Sequence, residues 1–430
     1  MKQEIYRLKD ISDIKSGKRL PVGHDFAEFP TPYIYIRARD IKKGGISTDN
    51  LAYISEQTRE RIKRYIICKG DIAITIVANI GDVGYCNDNC HGGNLTENAV
   101  RLTNFATDLV DSKYLVKLLS QPHMKQYMES LAAGAAQAKL GIYKIEKIKV
   151  SLPEINYQQK IASILSTYDT LIENNTKRIR LLEQMAENLY KEWFVRFRFP
   201  RHENVGMEKS KYGKVPSGFK LMKMQDVFDY YVGGGWGEEV CSDDFIEEAN
   251  VIRGADFPKV WQYDISSCPR RFHKKSNYKA RQLEDGDIVM EISGGTSEQP
   301  VGRTVLVTQD LIDRYKDSRV ICASFCKLIR LKKDIVSPYY FYYWMKFLYD
   351  TRIIDRFQLQ STGIINFKFE PFLRKGDVIL PTKDVMTAFE KQVKTIHSEM
   401  NKLAQSNSLL ATQRDLLLPR LMSGKLEVKP

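Results

Sequence analysis

Long apolar runs are missing from this chain. No stretch of eighteen apolar residues occurs, which removes a helical membrane span. The start, Met1-Lys2-Gln3-Glu4-Ile5-Tyr6, lacks the apolar core of a secretory signal. Cysteine is scarce and odd in number, seven in 430 residues, so reduced thiols and a cytoplasmic setting are expected. Cys86 with Cys90 and Cys322 with Cys326 share a four-residue step, wider than the pairs of most zinc sites; they read better as buried small hydrophobes. The six histidines are scattered and form no HExxH or HxH pair.

Catalytic motifs are missing too. There is no GxxxxGK[ST] loop, no GxGxxG and no Asp/Asn-Pro-Pro-Tyr/Phe run, so nothing marks a nucleotide or methyl-donor site. Asp287 and Glu291 faintly suggest a nuclease carboxylate pair, but Ser293 stands where a lysine would follow. A turn aspartate and an exposed strand glutamate are the simpler expectation. What the chain has is an ordinary globular balance, 43% hydrophobic and 28% charged, with 66 basic against 53 acidic side chains. The net charge of +13 points to a polyanionic partner. Its length suggests two to four units.

An internal repeat organises those units. Asp10, Asp13 and Gly17 recur at one offset as Asp226, Asp229 and Gly233. Arg37, Asp40 and Gly70-Asp71 recur at the same offset as Arg253, Asp256 and Gly286-Asp287. The offset then only grows, through Tyr114 with Tyr340, Leu152-Pro153 with Leu380-Pro381, and Asn175 with Asn407. Loop insertions in a second copy produce that drift. Chance matches would scatter.

Each copy opens with an α+β globule. Ile72–Val77 and Ile288–Ile292 read as strands entered through Gly-Asp turns. Tyr114–Met128 and Tyr339–Tyr349 read as helices entered through Asp111-Ser112 and Ser337-Pro338. Each copy closes with a long helix. From Ile161 to Trp193 there is no glycine or proline, and Leu165, Ile172, Ile179, Ala186 and Trp193 fall seven apart. A second row, Tyr168, Asn175, Leu182 and Leu189, follows three residues behind. This a/d seam over four heptads predicts a helix of roughly 50 Å that needs a partner. Ile396, Leu403, Leu410 and Leu417, flanked by Val393, Met400, Asn407 and Leu421, form its counterpart. Pro419 is expected to kink or end that helix, leaving it the shorter of the two. The expected divisions are 1–152, 153–199, 200–380 and 381–430, and the Pro- and Gly-bearing stretch 200–218 reads as a linker.

Basic clusters precede the Gly-Asp strand in both copies: Arg59, Arg61, Lys63 and Arg64, then Arg270, Arg271, Lys274, Lys275, Lys279 and Arg281. Such clusters neutralise phosphates. Three loops differ between copies. Gly17-Lys18-Arg19 is replaced by Gly233-Gly234-Gly235-Trp236, Asn79–Asp82 by Gly294–Gln299, and Gly134–Lys139 by Gly363–Lys368. Their polar tips suit base edges. Candidate DNA contacts are therefore Lys18, Arg19, Arg37, Arg39, Asn79, Gln137 and Lys139 in the first copy. In the second they are Trp236, Arg253, Ser297, Gln299, Asn366 and Lys368.

Taken together these motifs resemble the specificity subunit of type I restriction–modification systems. The resemblance is carried by LPEINYQQKIASILSTYDTLIENNTKRIRLLEQMAENLYKEWF from Leu152 to Phe194, by QRDLLLPRLMSGKLEV, and by the IRARDI, VIRGADF, KGDI and DGDI framework segments. It implies an α+β fold in which two target-recognition domains alternate with two long helices paired as an antiparallel coiled coil. It implies a non-catalytic subunit that reads a split duplex DNA target, with the helices acting as a ruler. Two methyltransferase subunits would dock on those helices, whose helix–helix and subunit-docking residues would be Leu165, Ile179, Trp193, Leu403 and their neighbours, and restriction subunits would join them. S-adenosylmethionine, ATP and Mg²⁺ would belong to those partners, with no cofactor in this chain and no membrane. Asn98-Ala99 and Ser324-Phe325 depart from the family's usual Asn-Gln pair. Competing readings are a self-sufficient nuclease using Asp287 and Glu291, or an RNA-binding scaffold.

Overall fold

The computed structural model describes residues 3–42, 44–48, 50–133, 138–296, 299–361, 364–426 and 428. Two compact units emerge, Met1–Leu171 with Leu410–Pro430, and Ile172–Leu409. The same framework is built in each copy. Gln3–Arg7 pairs antiparallel with Lys149–Pro153, and Lys220–Lys223 pairs likewise with Asp377–Leu380. Each closing strand brings the end of its globule back to the beginning and hands the chain to a long helix.

In the first copy, Asp13–Ser16, Ala99–Thr103, Ile72–Thr75 and Val83–Tyr85 lie in that order, extended by Gly44–Ile46 and Ile41–Lys42. The second copy repeats the first four places with Phe228–Gly233, Cys326–Leu331, Ile288–Glu291 and Thr304–Leu306. A smaller three-stranded sheet centres on Ile34–Ile36 in one copy and Glu247–Ile252 in the other. The second copy adds a sheet of its own, Ser293–Gly295, Ile364–Phe367 and Gln358–Ser361.

The predicted helix entries are present: Asp111 Oδ1 accepts from the Tyr114 amide at 2.8 Å, and Ser337 Oγ accepts from that of Tyr340 at 3.4 Å. Tyr114–Met128 is not one helix, however. Ser112–Leu119 stops and Pro122–Ala132 begins anew, because Pro122 has no amide hydrogen to continue the first and is suited to opening the second. Pro338–Asp350 is buried from Pro338 through Met345, as a helix apolar all round must be. The stretch 200–218 is more than a linker. Met207–Ser210 and Gly213–Pro216 form a hairpin, and Tyr212 and Lys211 at its turn bind buried Asp377.

The long helices are Ile155–Tyr190 and Lys383–Met422. Their seam follows the predicted rows: Leu165, Ile179, Ala186 and Trp193 are buried, and Ile172, Tyr168, Asn175, Leu182 and Leu189 are half-buried. On the second helix Leu403 is buried and Ile396, Asn407, Leu410 and Leu417 are half-buried, while Val393, Met400 and Leu421 lie deeper. Within residues 172–409 the helices run antiparallel. Ile179 packs in one cluster with Met400, Leu403 and Ala404, Arg178 pairs with Glu399 at 3.3 Å, and Tyr190 meets Phe389. The two seam asparagines are used reciprocally, Asn175 toward Ser406 and Asn407 toward Thr176. In the other unit Leu165 clusters with Leu421, and Asp169 pairs with Arg414 at 2.7 Å. The two helices are close to equal in length. The second runs 40 residues with Pro419 inside it, and the first runs 36 and continues through the five-residue π-helical turn Lys191–Val195. The proline sits in the last turn, where burial of Leu421 and Met422 outweighs one lost hydrogen bond.

A buried polar chain crosses this packing. His397 on the second helix lies 2.9 Å from the hydroxyls of both Tyr263 and Tyr343, and Tyr343 donates to Glu183 of the first helix at 3.0 Å. Nε2–H therefore donates to Tyr343, and in the neutral ring that burial favours Nδ1 accepts from Tyr263. Burial pushes its pKa from 6.5 down to about 4, against a weaker opposing pull from Asp310. As pH falls through this window the unfolded chain takes up a proton that the folded chain refuses, so stability is lost on acidification. Urea unfolding across pH 6.5 to 4 is expected to show the native chain losing about 3 kcal/mol more than a His397→Gln variant. Equal losses in the two proteins would remove this role from His397.

Candidate nucleic-acid interface

The loop after the first sheet strand starts where the backbone leaves no room for a side chain. A Cβ on Gly17 would stand 1.9 Å from the Thr96 carbonyl oxygen, and one on Gly234 would stand 2.1 Å from that of Ala323. Backbone bonds match as well. Gly17 and Lys18 donate to Ala99 and Leu95, while Gly234 and Gly235 donate to Cys326 and Cys322. The true counterpart of Gly17 is thus Gly234 rather than Gly233. The extra residue is absorbed by an irregularity between Phe228 and Tyr230, as a β-bulge does.

The other variable loops are fastened beside this one by the same bonds in both copies. In the first, the Ile76 amide donates to Asn98 and the Leu140 amide to Ile76, with Val77 bridged to Lys139. In the second, the Ile292 amide donates to Phe325 and the Phe367 amide to Ile292, with Ser293 opposite Asn366. Among the described residues, each copy therefore brings the bonded ends of its three loops together, joined through a fourth segment, 95–98 or 322–325. Sequence reasoning did not count that segment among the loops. Its signal was present in Phe325, an aromatic residue at a position held by asparagine in the first copy.

Lys18, Asn79, Lys139, Gln299 and Lys368 are exposed on these loops, and Arg39 is exposed on the turn Ala38–Asp40. Arg19 is exposed and faces Glu97 at 3.7 Å. Trp236 is exposed on one side and carries the Arg271 guanidinium 4.6 Å from its ring centre. Asn366 is half-buried and accepts from Ser293 Oγ at 2.7 Å. Gln137 and Ser297 lie outside the described residues. Arg37 and Arg253 depart from expectation. Each grips an aspartate three residues on, Nε to Asp40 at 2.9 Å and Nε to Asp256 at 2.9 Å, with that aspartate also accepting the arginine's own amide. Their guanidinium edges are spent on a framework turn. The recurrence of Arg-x-x-Asp in both copies reflects that turn.

The basic clusters are thinner than their composition suggested. Arg270, Arg271 and Lys274 pair with Glu248, Glu239 and Asp244, and Arg281 donates to the Gly233 carbonyl. Lys275 and Lys279 remain exposed there, as do Arg61 and Arg64 in the first copy. The four paired-spacing cysteines, Cys86, Cys90, Cys322 and Cys326, sit inside apolar clusters, and burial pushes the Cys90 thiol up to about 11.

The carboxylate pair is committed to the fold. Asp287 is fully buried against Arg330, with both contacts at 2.9 Å, and burial raises its pKa. Glu291, expected to be exposed, is buried, because Arg303 clamps it at 2.8 Å on both oxygens and also binds the Gly254 carbonyl. Two carboxylates already neutralised by arginine are poor candidates for nuclease work.

Comparison with known proteins adds an independent line. The family model described as type I restriction modification DNA specificity domain matches residues 2–184. The MjaIX type I restriction enzyme specificity subunit of Methanocaldococcus jannaschii is 23% identical over 87% of this chain and 82% of its own. The HindI specificity subunit of Haemophilus influenzae is 22% identical over 98% of this chain and 99% of its own. The crystal structure of a type I restriction–modification S subunit from M. genitalium aligns over 98% of this chain and 96% of its own, with a TM-score of 0.53 at 14% identity. That likeness shows a shared fold.

The Glu291–Arg303 clamp makes a stability prediction. Glu291→Ala is expected to cost about 3 to 5 kcal/mol in unfolding experiments, since it strands a buried guanidinium. Replacing both partners by methionine should recover most of that loss. A single variant as stable as the parent would contradict the clamp.

Proposed function

Since the chain belongs to the DNA specificity subunits of type I restriction–modification systems, we propose that its two globules read the two halves of one split duplex DNA target. The carrying observation is the contrast between frame and tip. Gly17 with Gly234, Arg37–Asp40 with Arg253–Asp256, and the matched loop bonds are common to both copies. Lys18, Arg19, Asn98 and Lys139 stand where the second copy has Gly235, Trp236, Phe325 and Asn366. Equal frames with unequal tips suit two different base sequences, read through polar and apolar contacts to base edges. The protein is a recognition subunit and not an enzyme.

Its partners are duplex DNA and the methyltransferase and restriction subunits of the same system. Two methyltransferase subunits, one for each half of the repeat, would dock on the long helices, whose length bears on the gap between half-sites. S-adenosylmethionine, ATP and Mg²⁺ are assigned to those partners. The setting is the cytoplasm, where such DNA lies. Among the described residues no helix is long and apolar enough to cross a membrane.

Co-expression with the methyltransferase subunit, followed by sequencing that detects modified bases, is expected to reveal a motif in two parts with an unread gap. Lys18→Ala or Arg19→Ala should relax one half by about tenfold and leave the other intact. Trp236→Ala should do the reverse. A contiguous motif, or relaxation of both halves by one substitution, would reject the assignment.

A further inference from the structure

The position shared by Asn98 and Phe325 lies at the middle of each linked set of loops. Its carbonyl receives the amide of the residue that follows the central sheet strand, at 2.8 Å from Ile76 in the first copy and 2.9 Å from Ile292 in the second. The backbone is therefore held alike in both copies while the side chain is free to differ. Asn98 is a half-buried amide. Phe325 is a bare ring, 62% exposed.

An exposed apolar side chain alone is ordinary on a protein surface. Phe325 is not alone. Trp236, Leu359 and Ile364, on the loops tied to it, are exposed as well, at 39%, 51% and 47%. Gly294 has φ of +101°, and a Cβ there would stand 4.0 Å from the Phe325 ring, so the glycine leaves that side of the ring uncovered. The ring thus projects from a hydrogen-bonded segment, next in the chain to Ser324, within a linked set that exposes three further apolar side chains. In the major groove the apolar feature that a base pair offers is the C5-methyl group of thymine, and phenylalanine is among the side chains that contact it. An amide at the same place offers the paired donor and acceptor that match adenine.

We propose that Phe325 is a specificity-determining residue that reads the 5-methyl group of a thymine in the half-site of the second copy. This rests on the split-target reading above and adds the chemical character of one base. No hydrogen bond is required of the side chain, so the discrimination comes from burying a methyl group against the ring.

Synthetic duplexes carrying the motif found by modified-base sequencing test it, with each thymine of the second half-site replaced in turn by uracil, which removes only the methyl group. Binding and methylation are measured with the complex of this chain and its methyltransferase. One replacement is expected to weaken binding about fourfold, the equivalent of one buried methyl group. With Phe325→Ala that replacement should have no further effect, while replacements in the first half-site behave as in the parent. Because the ring is exposed, the variant should keep its fold, and an unchanged response of the first half-site verifies this. The proposal is overturned by a second half-site with no thymine on either strand, by no sensitivity to uracil, or by a sensitivity that persists in Phe325→Ala. A uniform loss on every duplex with Phe325→Ala would mark the ring as a general stacking surface and overturn it too. Failure of the split-target reading is distinct, since no two-part motif would then appear with the parent complex.

Discussion

A helix of 36 residues with an apolar seam along its length cannot leave that seam in water. Burying it against a second seam is the constraint from which the rest follows. Antiparallel pairing lets two copies of one sequence pattern serve as each other's cover, as the reciprocal use of Asn175 and Asn407 illustrates. Those asparagines cost stability on an apolar stripe, and a misaligned pairing would leave them without partners. The duplication of the globules and the pairing of the helices are therefore one arrangement.

The globules divide their residues between two tasks. Arg37, Asp40, Gly17 and the Gly-Asp turn, with their second-copy counterparts, hold backbone in fixed positions. Close approach of Gly17 to Thr96 and of Gly234 to Ala323 leaves no latitude in how the first loop departs. Variation is pushed outward to side chains that no frame contact needs. A scaffold of this kind tolerates exchange of Lys18 for Gly235, or Asn98 for Phe325, without altering the path of the chain.

Much of this was legible beforehand. The repeat, the long helices, their seam and the caps at Asp111 and Ser337 all follow from spacing and residue type, since these are local or periodic properties. The site was legible only in outline. Loop identity could be read from the repeat, but Arg37 and Arg253 were read as DNA contacts because an arginine shows its charge and not its partner. The same blindness made Glu291 seem exposed and the basic cluster before Asp287 seem open. For Arg37 and Arg253 an aspartate three residues on decided the role, and for the others it was a partner farther along the chain, Arg303 or Glu239 among them. The break before Pro122 was visible and was passed over.

By itself the amino-acid order determined the duplication, the alternation of globule and helix, the apolar seam and the resemblance that goes with them. Periodicity and recurrence need no knowledge of what lies across the fold. Tertiary structure decided which charges are consumed in holding the protein together and which remain for a partner. It decided that a bulge shifts the second glycine by one residue, and that the segment holding Asn98 or Phe325 joins the loops. Those outcomes depend on which groups meet through space. Burial and pairing, rather than residue type, settle whether an ionic or aromatic side chain faces the core or the solvent.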